Sequence, residues 1–348
     1  MEIQPARRLM INRKKFGIFL LDHAIEVILI VLMVSLALNV KGFMTWSNWM
    51  NIFRANSLKG VIAFGMTMVI IAGLIDLSVG STVALSGVIV ARCCRDFTAS
   101  GMNLTLACLL GIGISILLAV AIGYLHGFFA HKAGMPPFIV TLVSYNALYG
   151  LAGMVSGGFP IANQFPDWFN VLGGGRFPIP AWISHLFGVA EIDGIPYPAL
   201  VLLLSFLIVF FIMGYTTIGR AIYATGGNPE SARLSGINVY KTKVISFVVV
   251  QIMAVLSGIM VSGQVLAGSF SFGRDWGLDV ISAVIIGGTS FTGGIGKVWG
   301  TILGVIFMGV ISNGMTLLNF DIYTQYVVRG IVMFLAVLIS SYRSKVRV

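Results

Sequence analysis

Ten apolar segments follow one another along this chain, separated by short polar stretches. They lie at roughly residues 18–40, 58–75, 77–93, 104–130, 136–157, 198–214, 244–266, 279–292, 298–316 and 322–341. Only 10% of the 348 residues are charged, whereas a soluble domain carries about 25%. Because a straight membrane span needs about 20 apolar residues, several of these segments are too short. We therefore predict an all-α, polytopic membrane protein of about ten transmembrane helices, with broken or re-entrant segments.

Basic residues indicate the orientation. With a cytoplasmic N-terminus, most of the 22 Lys and Arg residues fall on the inner side, as the positive-inside rule requires. We expect both termini in the cytoplasm: a basic tail at 1–17, one transmembrane domain at 18–342 and a basic tail at 343–348. Merging 58–93 and 279–316 into two bent spans would give eight crossings, and charge counting does not separate these alternatives.

The net charge of +10 is explained by this placement and does not indicate a nucleic-acid partner. Two longer polar stretches remain. The loop 158–197, rich in proline and aromatic residues, is expected outside, and the loop 215–243 is expected on the cytoplasmic side.

The cytoplasmic loop contains a short helix with its own start and stop signals. Asn228 is a good N-cap, and Pro229 suits the first helical position. Gly236 can take the left-handed conformation that ends a helix. A helix over 229–235 would be about 10 Å long and marginal alone in water, so it needs a partner surface. The residues concerned are Asn228, Pro229, Glu230, Ser231, Ala232, Arg233, Leu234, Ser235 and Gly236.

A carboxylate interrupts the longest apolar run. Asp76 lies between Gly73 and Gly80 and near Ser78, and charged groups inside a membrane are costly. One interpretation is that Asp76 lies in water at a cytoplasmic hairpin tip and caps the next helix, a role that Asn would also fill. The other is that a broken helix here lines a path or gate, with Asp76, Ser78 and Gly80 as candidates.

A second break is rich in glycine. Gly287, Gly288, Thr289, Gly293 and Gly294 lie in the stretch 284–297, which departs from the phosphate-loop pattern because Val298 follows Lys297. We expect a tight re-entrant turn with close backbone packing, and these residues are further candidates for a path or gate.

The sequence also lacks the motifs of an enzyme. It contains no His-Glu-x-x-His, no serine nucleophile elbow and no complete phosphate loop. Its three cysteines, Cys93, Cys94 and Cys108, have no metal-binding spacing. We expect no catalytic residue, metal site or cofactor in this chain.

Four stretches in a fixed order carry a resemblance to a known family. They are Gly-Leu-Ile-Asp-Leu-Ser-Val-Gly-Ser at 73–81, Pro-Phe-Ile-Val-Thr-Leu at 137–142, the run from Gly219 to Val239 and Ile-Gly-Gly-Thr-Ser-Phe-Thr-Gly-Gly-Ile-Gly at 286–296. Together they resemble the permease subunits of bacterial ABC sugar importers of the ribose, galactoside, xylose and autoinducer-2 type. The resemblance covers roughly residues 50–340.

This resemblance implies a multi-pass protein of the bacterial inner membrane that imports a sugar, in particular a monosaccharide. It implies a second permease chain, a tandem ATP-binding subunit that hydrolyses the ATP, and a periplasmic or lipid-anchored sugar-binding protein, and it assigns the helix at 228–236 to docking on the ATPase. Membrane lipid is the remaining partner. The alternatives are an ABC permease for another small solute (a nucleoside, autoinducer-2 or a branched-chain amino acid) or a secondary transporter.

Overall fold

A computed structural model describes residues 24–162, 165–180 and 194–346. This part of the chain forms the helices α1 (Ala24–Asn39), α2 (Trp46–Ile71), α3 (Val79–Ala99), α4 (Leu104–His131), α5 (Pro137–Ser156), α6 (Asp167–Gly174), α7 (Tyr197–Tyr215), α8 (Thr217–Gly227), α9 (Pro229–Leu234), α10 (Val239–Val265), α11 (Trp276–Ile286), α12 (Val298–Leu317) and α13 (Ile322–Val346). Two small antiparallel pairs are also present: β1 (Ile161–Ala162) with β4 (Ala267–Gly268), and β2 (Arg176–Phe177) with β3 (Ile195–Pro196). The tail 1–17 and part of the long loop 158–197 lie outside the described residues.

Six of these helices, α2, α4, α5, α7, α10 and α12, are long and apolar enough to cross a membrane. Shorter apolar stretches lie in α1, α11 and α13. The prediction of a polytopic, helical membrane protein is confirmed.

The second apolar segment begins earlier than the sequence predicted. Instead of starting near residue 58, α2 starts at Trp46, after an N-cap in which the Thr45 side chain accepts from the backbone N–H of Asn48. Its polar first turns are held by α12, because Asn48 and Asn313 exchange amide hydrogen bonds of 2.8 and 3.0 Å. Paired amides of this kind make a polar helix start compatible with a buried position.

Helix α10 lies at the centre of the bundle, and its contacts give the direction of α2. A Cβ added at Gly65 would lie 2.7 Å from the Cα of Val250, so the two backbones touch. Seven residues further along α10, Ser257 donates to the carbonyl of Leu58 at 2.5 Å. As residue numbers increase along α10, those of the contacting residues on α2 decrease, so the two helices are antiparallel.

Helix α3 runs the other way. Thr82 donates to the side chain of Gln251 at 2.5 Å, and a Cβ added at Gly87 would lie 2.2 Å from the hydroxyl of Ser262. Residue numbers therefore increase in the same direction on α3 and α10, so these two helices are parallel. Because α2 is antiparallel to α10, α2 and α3 have opposite directions. The alternative of one bent span over 58–93 is wrong.

The second proposed merger fails for the same reason. A Cβ added at Gly287 would lie 2.4 Å from the carbonyl oxygen of Gly300, and one added at Gly304 would lie 1.8 Å from that of Ala283. Helices α11 and α12 are therefore antiparallel neighbours, and 279–316 is not one bent span. Only glycine allows backbones to approach this closely.

Two discontinuous segments cross beside α3. Residues 72–78 are not helical and lead into α3, whereas residues 269–275 are not helical and lead into α11. At the crossing, a Cβ added at Gly80 would lie 2.1 Å from the carbonyl oxygen of Gly273, which has a φ of 71°. The first segment is extended and the second consists of turns, each continues into a helix, and the two run in opposite directions through the bundle.

A charged network joins α2, α11 and α13. Lys59 Nζ lies 2.5 Å from Asp279 Oδ2, and Arg329 lies 3.6 Å from the same oxygen. All three side chains are at most one-quarter exposed. The shared carboxylate offsets both cations, as intramembrane charges require.

Candidate functional site

The predicted cytoplasmic helix is present as α9, one residue shorter than 229–235. The side-chain oxygen of Asn228 accepts from the backbone N–H groups of Glu230 and Ser231, both at 3.0 Å. Gly236 has a φ of 82° and ends the helix in the left-handed conformation. The cap residues thus lie where local sequence rules place them.

One face of α9 is free. Arg233 donates to Glu230 at 2.6 and 3.2 Å, and this hydrogen bond lowers the pKa of the Glu230 carboxyl. Leu234 is 76% exposed, while Ala232 faces inward. An exposed leucine beside a solvated ion pair on so short a helix is typical of a contact surface. The exposed residues of this stretch are Asn228, Pro229, Glu230, Ser231, Arg233, Leu234, Ser235 and Gly236.

Five glycines form a common contact just before α9. We call them the glycine junction: Gly73, Gly226, Gly227, Gly293 and Gly294. A Cβ added at Gly293 would lie 2.9 Å from both the Cα of Gly73 and the carbonyl oxygen of Gly226. One added at Gly294 would lie 2.7 Å from the Cα of Gly227. Three stretches that are far apart in the sequence therefore contact one another through backbone atoms, with no side chains between them.

Hydrogen bonds fix the same junction. The N–H of Gly294 donates to the carbonyl of Ile71 at 2.8 Å, and the hydroxyl of Tyr223 donates to the carbonyl of Gly296 at 2.8 Å. Only Asn228 separates the junction from α9. The junction therefore links the end of α8, next to α9, to the start of the stretch 72–78 and to the glycine-rich stretch that follows α11.

The sharp turn expected in the glycine-rich stretch begins at the end of α11. Gly288 has a φ of 87° and donates to the carbonyl of Ile285 at 2.9 Å, and Thr289 donates to that of Val284 at 3.3 Å. This is the glycine-ended helix terminus in which the last carbonyls are satisfied. Thr289 itself is buried.

Asp76 is fully buried and accepts three hydrogen bonds. Its Oδ1 receives the backbone N–H of Ser78 at 2.8 Å and the Ser78 hydroxyl at 2.7 Å, and its Oδ2 receives the side-chain amide of Gln251 at 2.8 Å. Gln251 lies near the middle of the 27-residue α10. The Asp76 carboxylate is therefore held level with the middle of α10, a helix long and apolar enough to cross a membrane.

A histidine lies beside this carboxylate. His126 Nδ1 is 3.4 Å from Asp76 Oδ2, without the alignment of a hydrogen bond, and its Nε2 is 2.8 Å from the hydroxyl of Ser144. Its ring packs against Phe247 at 5.4 Å between centroids. The ring nitrogen facing Asp76 is close enough to bond after a small shift.

The interpretation of Asp76 as a cap in water is wrong, because the residue has 0% exposure. Its bond to the N–H of Ser78, just before α3, retains the geometry of a turn that starts a helix. The hairpin interpretation did not include the hydrogen bonds that Gln251 and the Ser78 hydroxyl donate to the Asp76 carboxylate. Ser78 is buried with Asp76, and Gly80 lies at the crossing with Gly273.

Sequence analysis identified neither Gln251 nor His126 as a neighbour of Asp76. A single amide in the middle of the apolar helix α10 is the signal that could have identified Gln251, because a polar group there needs a partner. Among the described residues, no group of three His, Cys, Asp or Glu side chains could hold a metal ion. The arrangement holds segments of backbone in place.

Comparison with known proteins gives matches over nearly the whole chain. The family described as the branched-chain amino acid transport system permease component matches residues 48–337. The ribose import permease protein RbsC of Haemophilus influenzae is 34% identical over 94% of this chain and 95% of its own length. That of Bacillus subtilis is 34% identical over 91% of each chain. The L-arabinose transport system permease protein AraH of Escherichia coli is 32% identical over 95% of this chain and 94% of its own. No solved structure matches the chain.

Proposed function

The chain belongs to the permease family of ABC importers, and from this premise we propose that it carries a monosaccharide across the bacterial inner membrane as the transmembrane subunit of a sugar importer. The similar proteins are named for ribose and L-arabinose, and they match almost end to end. This full-length similarity to sugar permeases is the observation that carries the proposal.

The proposed importer contains four kinds of component. Two permease chains, identical or related, form the path; a tandem ATP-binding subunit hydrolyses ATP; a periplasmic or lipid-anchored binding protein delivers the sugar; and lipid surrounds the permease domain, 18–342. We assign docking on the ATPase to α9. Its exposed ion pair and Leu234 support this role, as does its place next to the glycine junction.

The path or gate is assigned to the two crossing segments. Asp76, Ser78 and Gly80 hold one segment near mid-membrane, and the glycine-rich stretch 287–294 connects α11 to the junction. The segment 72–78 begins at the glycine junction, whereas the segment 269–275 is connected to it through α11 and the stretch 287–294. A push on α9 would therefore reach the first segment by backbone contact and the second along α11.

Ten crossings with both termini in the cytoplasm fit the described directions. The six long apolar helices, the three shorter ones and α3 make ten candidate segments. The antiparallel contacts of α2, α10, α11 and α12 agree with strict alternation.

Reconstitution tests this function. The permease would be purified with its ATP-binding subunit and binding protein and placed in liposomes containing ATP. We expect uptake of radiolabelled D-ribose or L-arabinose that stops without ATP or without the binding protein. Uptake of leucine in place of either sugar would support the amino-acid alternative, and uptake driven by an ion gradient without ATP would support a secondary transporter.

A further inference from the structure

A group of polar and aromatic side chains lies at the depth of the crossing segments. Tyr145 on α5 donates to the carbonyl of Arg274 at 3.4 Å, and the same carbonyl lies 3.5 Å from where a Cβ on Gly80 would be. Gly80 is two residues from Ser78, which bonds to Gln251 in the middle of α10. Arg274 and Tyr145 are therefore near mid-membrane.

These residues form an exposed patch. We call it the midplane patch and define it by Tyr145, Asn146, Tyr149, Arg274, Asp275 and Tyr326. Asn146, Arg274 and Asp275 are exposed, and Tyr326 is 46% exposed. The Arg274 guanidinium lies 5.5 Å from the centre of the Tyr149 ring, and Tyr326 donates to Asp275 at 3.3 Å.

Lipid is an unsuitable neighbour for this surface. Charged side chains at mid-membrane face a protein interior or a water-filled cavity, because hydrocarbon does not solvate them. The backbone adds a second, independent reason. Arg274 and Asp275 belong to the non-helical stretch 269–275, and irregular backbone at membrane depth is tolerated only inside protein or against water.

The chemistry of the patch suits a neutral, polyhydroxylated solute. The Arg274 guanidinium offers only donors and the Asp275 carboxylate only acceptors. The Tyr145 and Tyr326 hydroxyls, which donate within the protein, add acceptor oxygens, and the Asn146 amide, which donates one N–H to Leu142, keeps a second N–H and its oxygen. Together these groups match hydroxyl groups that donate and accept. Arg274 and Asp275 cancel in charge, so the patch favours neither cations nor anions. The rings of Tyr145 and Tyr149 are nearly parallel, at 14°, and their faces can pack on the C–H surface of a sugar ring.

We infer that the midplane patch lines the translocation path and contacts the sugar as it crosses the membrane. The identity of the solute as a sugar rests on the proposed function. The location of the patch in the path rests on the exposure of its residues at membrane depth. The crossing at Gly80 and Gly273 lies directly behind the patch, so a movement of the broken segments would change its shape.

Cysteine accessibility in the assembled transporter tests the location. Asn146→Cys and Asp275→Cys would be exposed in membranes to a charged, membrane-impermeant methanethiosulfonate reagent. Leu207→Cys is the matched control, since Leu207 is 51% exposed near the middle of α7. The unsubstituted chain gives the background, as its three cysteines are buried. Because the thiolate is the reacting form, we expect patch cysteines to react about tenfold faster than Leu207→Cys.

A second measurement tests contact with the solute. Uptake of D-ribose or L-arabinose would be compared with that of the unsubstituted transporter, both before and after modification. We expect the patch substitutions to lower uptake, modification to lower it further, and neither the substitution nor the modification to affect uptake in Leu207→Cys. Equal reaction rates at all three positions would overturn the location, and modification without loss of uptake would overturn the contact. Failure of the unsubstituted transporter to take up any sugar would refute the proposed function instead, while leaving the accessibility result intact.

Discussion

At the scale of single residues, Asp76 shows how burial changes the role of a side chain. Asp76 acts only as an acceptor. It receives hydrogen bonds from the N–H and the hydroxyl of Ser78 and from the side-chain amide of Gln251. The Gln251 oxygen is already occupied by Thr82 at 2.5 Å. A residue that donates at position 76 would therefore face the amide N–H of Gln251 and the unpaired Nδ1 of His126 in a buried site.

This reverses the expectation that Asn would be tolerated at position 76. We expect Asp76→Asn to lower the folded amount and transport, because the Gln251 amide must turn over to accept the new N–H and then no longer donates to the Ser78 hydroxyl, a cost of about 0.5–1.5 kcal/mol. The second change Gln251→Glu should restore both, since the new carboxylate then accepts from the introduced amide and from Thr82. Folded protein is measured by size-exclusion chromatography in detergent, and uptake in cells. If Asp76→Asn alone transports normally, the donor arrangement around this carboxylate is wrong.

The sequence indicated that Asp76 is a carboxylate within an apolar run, but it did not indicate which residues surround it. Its neighbours Ser78 and Gly80 are local and were recognised, whereas Gln251 and His126 are far away in the chain. Local rules predict caps and turns, and long-range partners depend on which helices meet.

At the scale of elements, α9 is predictable because its information is local. The cap at Asn228, the proline and Gly236 all lie within nine residues. The docking role that we propose for α9 uses its exposed face, which carries the Glu230–Arg233 ion pair.

The docking role of α9 can be separated from its internal ion pair. We expect Arg233→Glu to abolish sugar uptake with normal membrane insertion, since it reverses the charge offered to the ATPase. The paired change Glu230→Arg with Arg233→Glu restores an opposite-charge pair of small energetic value, yet it should remain inactive. Co-purification of the ATP-binding subunit provides the direct measurement. Full uptake by the paired variant would mean that the ion pair alone matters.

The glycine junction makes a distinct prediction at this scale. Gly293 and Gly134 both have positive φ, 86° and 66°, but only Gly293 has backbone atoms where a Cβ would go. Alanine at either position meets the left-handed backbone cost of about 1–2 kcal/mol. We expect Gly293→Ala to lose far more folded protein or transport than Gly134→Ala, as compared by fluorescence of a fused reporter and by uptake. Similar losses in both variants would show that close packing at the junction is unimportant.

At the scale of the whole molecule, hydropathy predicted membrane insertion well and helix boundaries less well. The start of α2 at Trp46 was missed because its first turns are polar, and Asn48 becomes acceptable only through Asn313 on α12. The crossing of Gly80 with Gly273 was not predicted either, because the need for glycine at each position depends on the close approach of the other.

The number of crossings is testable at two turns of similar geometry. Gly101 lies between α3 and α4, and Gly134 between α4 and α5; both have positive φ and open space around them. With ten crossings and a cytoplasmic N-terminus, position 101 lies outside and position 134 inside. Eight crossings, with 58–93 as one span, would exchange the two positions, because the chain would cross once less before Gly101. We expect alkaline phosphatase, which is active only outside the cytoplasm, to be active when inserted at 101 and inactive at 134. The reverse result would contradict the antiparallel placement of α2 and α3, and with it the path assigned to the segments between them.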